Sequence, residues 1–171
     1  MIRAIRAFFA VAALAVLASC GGGDSLQPSK TYQGPPITQV VVKKADRKMY
    51  LVSGREVIKS YKIQLGVQPV GPKQLEGDGR TPEGMYFIDR FNPRSRYHLS
   101  VGISYPSAQD IANAAAIGAR PGGDIFIHGL GPEGRALNRA DWTAGCIAVT
   151  DQEIEEIFTM LRPGVPIFIY P

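Results

Sequence analysis

Residues 37–66 read "ITQVVVKKADRKMYLVSGREVIKSYKIQLG", three runs rich in Val, Ile and Tyr that break at Ala45–Asp46 and at Ser53–Gly54. β-branched and aromatic residues suit a pleated, half-buried surface, and Asp, Ser and Gly suit the turns between such runs. The stretch predicts a meander of hairpins, so a sheet opens the domain. Strand-like runs return in "MYFIDRF" from Met85, "YHLSVGISYP" from Tyr97, "DIFIHG" from Asp124 and "VPIFIYP" from Val165. Two segments read as helices. Residues 106–118 are Ala-rich and end at Gly and Pro. Residues 150–162 open with a Thr150/Glu153 capping box and repeat Ile154, Ile157, Phe158 and Leu161 at helical spacing. With no βαβ alternation and no repeat, the pattern predicts a mostly-β domain: a sandwich or partly closed barrel with one or two short packed helices.

Working outward, the chain has 171 residues, 45% hydrophobic and 20% charged, enough for one domain with a real core. Its formal charge of +4 includes Arg3 and Arg6; without the first nineteen residues it is +2. That balance, with no basic stripe interleaved with aromatics, gives no support for nucleic-acid binding. The N-terminus, "MIRAIRAFFAVAALAVLASC", has a basic start and an apolar run from Ala7 to Leu17, too short to span a bilayer and typical of a secretory signal. "LASC" followed by glycines resembles a bacterial lipobox, which implies cleavage before Cys20 and acylation there; a plain signal peptide with a chance Cys is the alternative. Gly21 in place of Asp resembles outer-membrane lipoproteins of Gram-negative bacteria. The expected organisation is a signal peptide over 1–19, a flexible Gly/Ser/Pro tether over 20–36 beginning at lipidated Cys20, and a folded domain over 37–171.

The chain has two His and two Cys. If Cys20 carries lipid, Cys146 has no partner for an intramolecular disulfide. His128 leaves a strand and Cys146 precedes the capped helix, 18 residues later, so both sit at element ends. An imidazole beside a thiol makes a nucleophile. On the residues alone that reading stands level with a buried structural Cys. Gly145 permits a tight turn whose N–H groups point at an oxyanion, and Thr143 can hydrogen-bond within that turn. A zinc site from His98, His128 and Cys146 is disfavoured because no closely spaced ligand pair exists. "GVQPVGPK" has P-loop glycine spacing but Pro72 before Lys73 and no following Ser or Thr, so it is not a nucleotide loop.

"IHG" followed at this distance by "TAGCI" resembles the signature of the YkuD-type L,D-transpeptidases, bacterial enzymes that remodel peptidoglycan. "GDGRTPEGMYFI", "HLSVGISYP" and "PGGDIFIHG" extend the likeness over most of residues 37–171. The resemblance implies a β-rich fold, Cys146 as acyl-accepting nucleophile and His128 as general base. It further implies the Gly129 carbonyl as the group orienting the imidazole, the N–H groups of Gly145 and Cys146 as the oxyanion hole, and no cofactor. Most relatives carry Arg two residues after the nucleophile; here that position is Ala148. Arg135 or Arg139 could replace it, against a plain solvated role. Thr143, Lys73, Arg80 and His98 are further candidate substrate contacts, with turn, loop or strand structure as the bland alternative, and Trp142 flanks the groove or fills core.

Three functions follow as expectations. The first is an L,D-transpeptidase on peptidoglycan stem peptides. The second is a carboxypeptidase, endopeptidase or amidase using the same thioester, and the third is a non-catalytic wall-binding lipoprotein. The chain is expected to work as a monomer, facing the periplasm, with a lipid anchor as its membrane contact.

Overall fold

The computed structural model describes residues 31–137 and 139–171. The expected signal peptide and lipidated Cys20 lie outside the described residues, as does most of the expected tether. Strands β1 (Gln39–Lys43), β2 (Lys48–Ser53) and β3 (Glu56–Lys62) are the predicted meander. Alternation does what the sequence promised: Val40, Val42, Met49, Leu51 and Tyr61 point into the core, while Lys43, Lys48 and Lys62 lie opposite one another on the outer face. β4 (Gly84–Ser95) and β5 (His98–Ile103) follow as an antiparallel pair, and β8 (Pro166–Tyr170) inserts between β1 and β4.

The strand order β3-β2-β1-β8-β4-β5-β6-β7 makes one eight-stranded mixed sheet that stays open. The expectation of a mostly-β fold holds; the sheet is not closed into a barrel. β4, twelve residues long, pairs with β8 through its first half and β5 through its second, and the β5 pairing carries register shifts between Ile88 and Phe91 and between Asn92 and Ser95. Such irregularities bend a strand, so β4 carries the chain from one half-sheet to the other. Ile88, Val101, Ile127, Ile147, Ile154, Ile157 and Ile167 fill one contiguous core across both halves.

Helix α1 (Ala108–Ala116) is capped by Ser107, and α3 (Asp151–Met160) by Thr150 and Glu153 in the predicted capping box. A third helix, α2 (Gly131–Ala136), lies inside the Gly-rich stretch between His128 and Cys146, where the sequence predicts none. Six residues with two glycines and a proline carry no helical periodicity. Around α2, β6 (Phe126–His128) and β7 (Ile147–Ala148) run parallel. The absence of strand–helix–strand alternation therefore fails here, at the one crossover that builds the site.

Lys44 is almost fully buried, and its ammonium donates to Glu83 at 2.8 Å, to the Gly71 carbonyl at 2.6 Å and to the Thr81 carbonyl at 3.0 Å. It ties the end of β1 to the loop that runs under the site.

Candidate active site

In the parallel pair, Ile127 lies opposite Ile147 and His128 opposite Ala148. One residue back in the same register, Cys146 stands beside Phe126. One strand across and two residues along is a diagonal of about 7–8 Å, within reach of side chains on a shared face. The crossover through α2 thus explains how residues 18 apart in sequence come to one place.

The turn before Cys146 is held from inside. Thr143 Oγ1 donates to the Cys146 carbonyl at 2.7 Å and accepts from the Gly145 N–H at 3.1 Å, while Thr81 Oγ1 donates to the Gly145 carbonyl at 2.8 Å. Gly145 has φ +135°, and a Cβ there would lie 2.5 Å from the Arg80 carbonyl oxygen, so only glycine fits. Thr143 also pairs through its backbone with Leu65 and Val67. The Cys146 N–H donates to no described residue.

His128 is 3% exposed. Its Nδ1 lies 2.6 Å from the Gly129 carbonyl, so Nδ1–H donates there and Nε2 keeps its lone pair. Tyr97 stacks on the ring at 4.5 Å between centroids, and Trp142 presents an edge at 5.7 Å. Burial pushes the imidazole below its ordinary 6.5, with the Gly129 hydrogen bond opposing. Burial likewise pushes the Cys146 thiol above its ordinary 9.0. The Phe126 N–H, Lys73 and Arg90 act against that rise, and the charge of Asp124 adds to it. Sγ donates to the Asp124 carbonyl at 3.5 Å, and no hydrogen bond among the described residues joins it to His128. Both shifts favour the uncharged forms of the two groups, and the Gly129 bond fixes the orientation of the imidazole.

With that geometry stand the comparisons. A family model described as the L,D-transpeptidase catalytic domain, YkuD, matches residues 37–169. The chain belongs to the YkuD L,D-transpeptidase family. The protein named "Putative L,D-transpeptidase YafK" of Escherichia coli strain K12 is 32% identical over 169 residues, covering 88% of this chain. The chain spans 62% of YafK's length. Among solved structures, the helical cell shape determining protein Pgp2 from Campylobacter jejuni superposes with a TM-score of 0.61 at 25% identity, over 86% of this chain and 51% of that one. An L,D-transpeptidase from Mycobacterium smegmatis shares the fold, with a TM-score of 0.52 at 14% identity, over 78% and 58% of the two chains.

Of the residues singled out from sequence, His128, Gly129, Gly145 and Cys146 come together; several others do not. The Gly145 N–H is engaged by Thr143, so the expected two-donor oxyanion hole loses one donor to the turn. Thr143, expected at the substrate, is buried with its hydroxyl occupied on both sides. Lys73 is buried against Asp78 at 2.9 Å and the Leu75 carbonyl, where it braces its own loop. His98 faces α3 and pairs with Glu155 at 2.7 Å. Arg96 lies in the turn that follows Ser95, and His98, with φ +73°, opens β5. Arg135 pairs with Asp151, and Arg139 is exposed. Arg80 contributes its backbone, whose carbonyl packs on Gly145 and whose N–H donates to Asp78. Ala148 is fully buried in β7, hydrogen-bonded to Gln64 through both its N–H and its carbonyl.

Sequence reasoning missed Tyr97, Thr81, Asp124 and Phe126 as parts of the site. Tyr97 sits in the two-residue turn between β4 and β5; the only signal was an aromatic at a hairpin tip one residue from a strand. Trp142, left undecided, proves to wall the imidazole, and its ring lies over Gly134 of α2, where a Cβ would come within 2.7 Å.

Proposed function

We propose that the protein is a cysteine acyltransferase of peptidoglycan stem peptides, with Cys146 as nucleophile and His128 as base. The observation that carries this reading is the His128 Nδ1–Gly129 carbonyl bond, which leaves Nε2 bare on the face that Cys146 shares. As Sγ attacks a substrate carbonyl, its proton passes to Nε2 and the oxyanion meets the Cys146 N–H. The C–N bond then breaks, the leaving amine takes the proton from His128, and a thioester remains. Attack by a second amine completes transpeptidation; attack by water makes the same site a hydrolase. Substrate that displaces water from the pair strengthens each charge interaction there, which favours passage of the thiol proton to Nε2. The cell wall as substrate places the domain outside the cytoplasm, and Cys20 and the 20–36 tether would hold it to a membrane facing the wall.

Sacculi digested with the wild type and with Cys146→Ala, followed by mass analysis of muropeptides, test the reading. The wild type changes the muropeptide profile and accumulates a Cys146 adduct; Cys146→Ala does neither, and His128→Ala is slowed by about 10²–10⁴-fold. New crosslinks identify transfer and trimmed stems identify hydrolysis. Unchanged sacculi with an unreactive thiol would leave only a wall-binding protein.

A further inference from the structure

Position 148, two residues past the thiol, is a buried alanine, so β7 offers no guanidinium to a substrate. Among the described residues, Lys73 and Arg90 are the cations placed to lower the thiol's pKa. Lys73 is sealed in its loop. Arg90 is on the open side. Its side chain is 42% exposed, and its guanidinium lies 4.5 Å over the ring of Phe126, the residue level with Cys146. Gly102, opposite Phe126 on β5, makes the space: a Cβ there would lie 2.5 Å from Arg90 Cγ. Arg90 donates to Asp89 at 2.7 Å and to Asp124 at 3.1 Å.

Asp124 is the joint between this cation and the nucleophile. Its backbone carbonyl accepts the Cys146 thiol, while its carboxylate holds Arg90. That carboxylate is 90% exposed, and its residue has φ +56°. An ion pair so open to water contributes little, so a substrate carboxylate can take its place at the guanidinium. The planar fork of Arg, flat on an aromatic ring, suits a carboxylate, and stacking leaves its edge donors free.

We infer that Arg90, laid on Phe126 and held by Asp89 and Asp124, is the subsite for a free carboxylate of the acyl-donor peptide. This rests on the Cys146 reading above. The ligand displaces Asp124 from Arg90, and because Asp124 also carries the thiol's hydrogen-bond acceptor, docking of the correct donor and release of Sγ occur at the same residue. A peptide lacking that carboxylate leaves the Arg90–Asp124 pair closed.

The test uses synthetic stem tetrapeptides that are identical except that one carboxylate at a time is converted to carboxamide. Adduct formation at Cys146 is read by intact mass and kcat/KM by product release. For the wild type, one amidated peptide loses at least about tenfold in kcat/KM, chiefly through KM, and in Arg90→Gln that discrimination shrinks to about twofold or less. Arg90→Lys restores part of it, and Asp124→Asn, which removes the competing carboxylate, widens it. A melting curve for each variant separates misfolding from lost recognition. Equal discrimination by wild type and both Arg90 variants, or none by the wild type, overturns the inference while the Cys146 adduct still forms. A wild type that forms no adduct with any peptide overturns the cysteine reading and the inference with it.

Discussion

At Cys146 the proposed chemistry turns on the thiol's proton. Burial pushes the thiol's pKa above its ordinary 9.0 and the imidazole's below its ordinary 6.5, directions that disfavour a preformed thiolate–imidazolium pair. Alkylation of Cys146 by iodoacetamide should accelerate only as pH climbs past 9.0; a midpoint below neutrality would demonstrate a resident ion pair and reverse this account. The same shifts act on stability. As pH falls through 6.5, the unfolded chain binds a proton at His128 that the folded chain resists, so stability declines from that point down to the folded pKa. As pH rises past 9.0, the unfolded Cys146 ionises while the folded thiol does not, and stability declines again. Denaturant titrations across this range, repeated on His128→Gln, should show the acid-side slope lessen. Gly145→Ala forces a Cβ against the Arg80 carbonyl at a left-handed φ and should cost about 1–3 kcal/mol, together with most of the activity.

At the scale of elements, α2 and α3 do different work. α3 is stabilised locally: Thr150 Oγ1 accepts the Glu153 N–H and the Glu153 carboxylate accepts the Thr150 N–H. Thr150→Ala should lower the unfolding free energy by about 1 kcal/mol with little change in kcat, measured by urea denaturation and turnover. α2 instead serves as a spacer that seats Trp142. Gly134→Ala would drive a methyl into the Trp142 ring, which in turn edges against His128 and Tyr97. Its expected signature is a fall in kcat that exceeds any loss of stability; a variant with normal kcat would show that the Trp142 wall does not position the imidazole.

Across the whole molecule, one buried ion pair joins the sheet to the loop beneath the nucleophile. Lys44 is 1% exposed and Glu83 is its only carboxylate partner among the described residues. Glu83→Gln would leave an ammonium in the interior with two carbonyls alone and should cost about 3–5 kcal/mol. The double variant Lys44→Met/Glu83→Gln, which removes the stranded charge, should recover part of that loss; thermal melts of the three proteins decide it. If the double variant is no more stable than Glu83→Gln, the cost lies in packing and not in the unpaired charge.

Which parts of this were legible in the chain follows from the range of the interactions. Strand alternation in residues 37–66 and the Thr150/Glu153 capping box are local patterns, and local backbone geometry is enough to read them. Those patterns determined a mostly-β domain, whereas the reading of Cys146 with His128 came from the resemblance of "IHG" and "TAGCI" to the family signature, their spacing alone leaving a buried structural Cys equally open. Everything that depends on which strand lies beside which waited for the tertiary structure. α2 had no periodicity to announce it, and β7 is only two residues long. Tyr97 and Trp142 reach His128 from a hairpin tip and a crossover loop that are remote in sequence. The outward look of Lys73, Thr143 and Arg135 in the sequence ended in internal partners, because a polar side chain near a site binds whichever acceptor the fold brings first. The alternation of residues determined the sheet, and the order in which its strands pair decided which side chains surround the thiol.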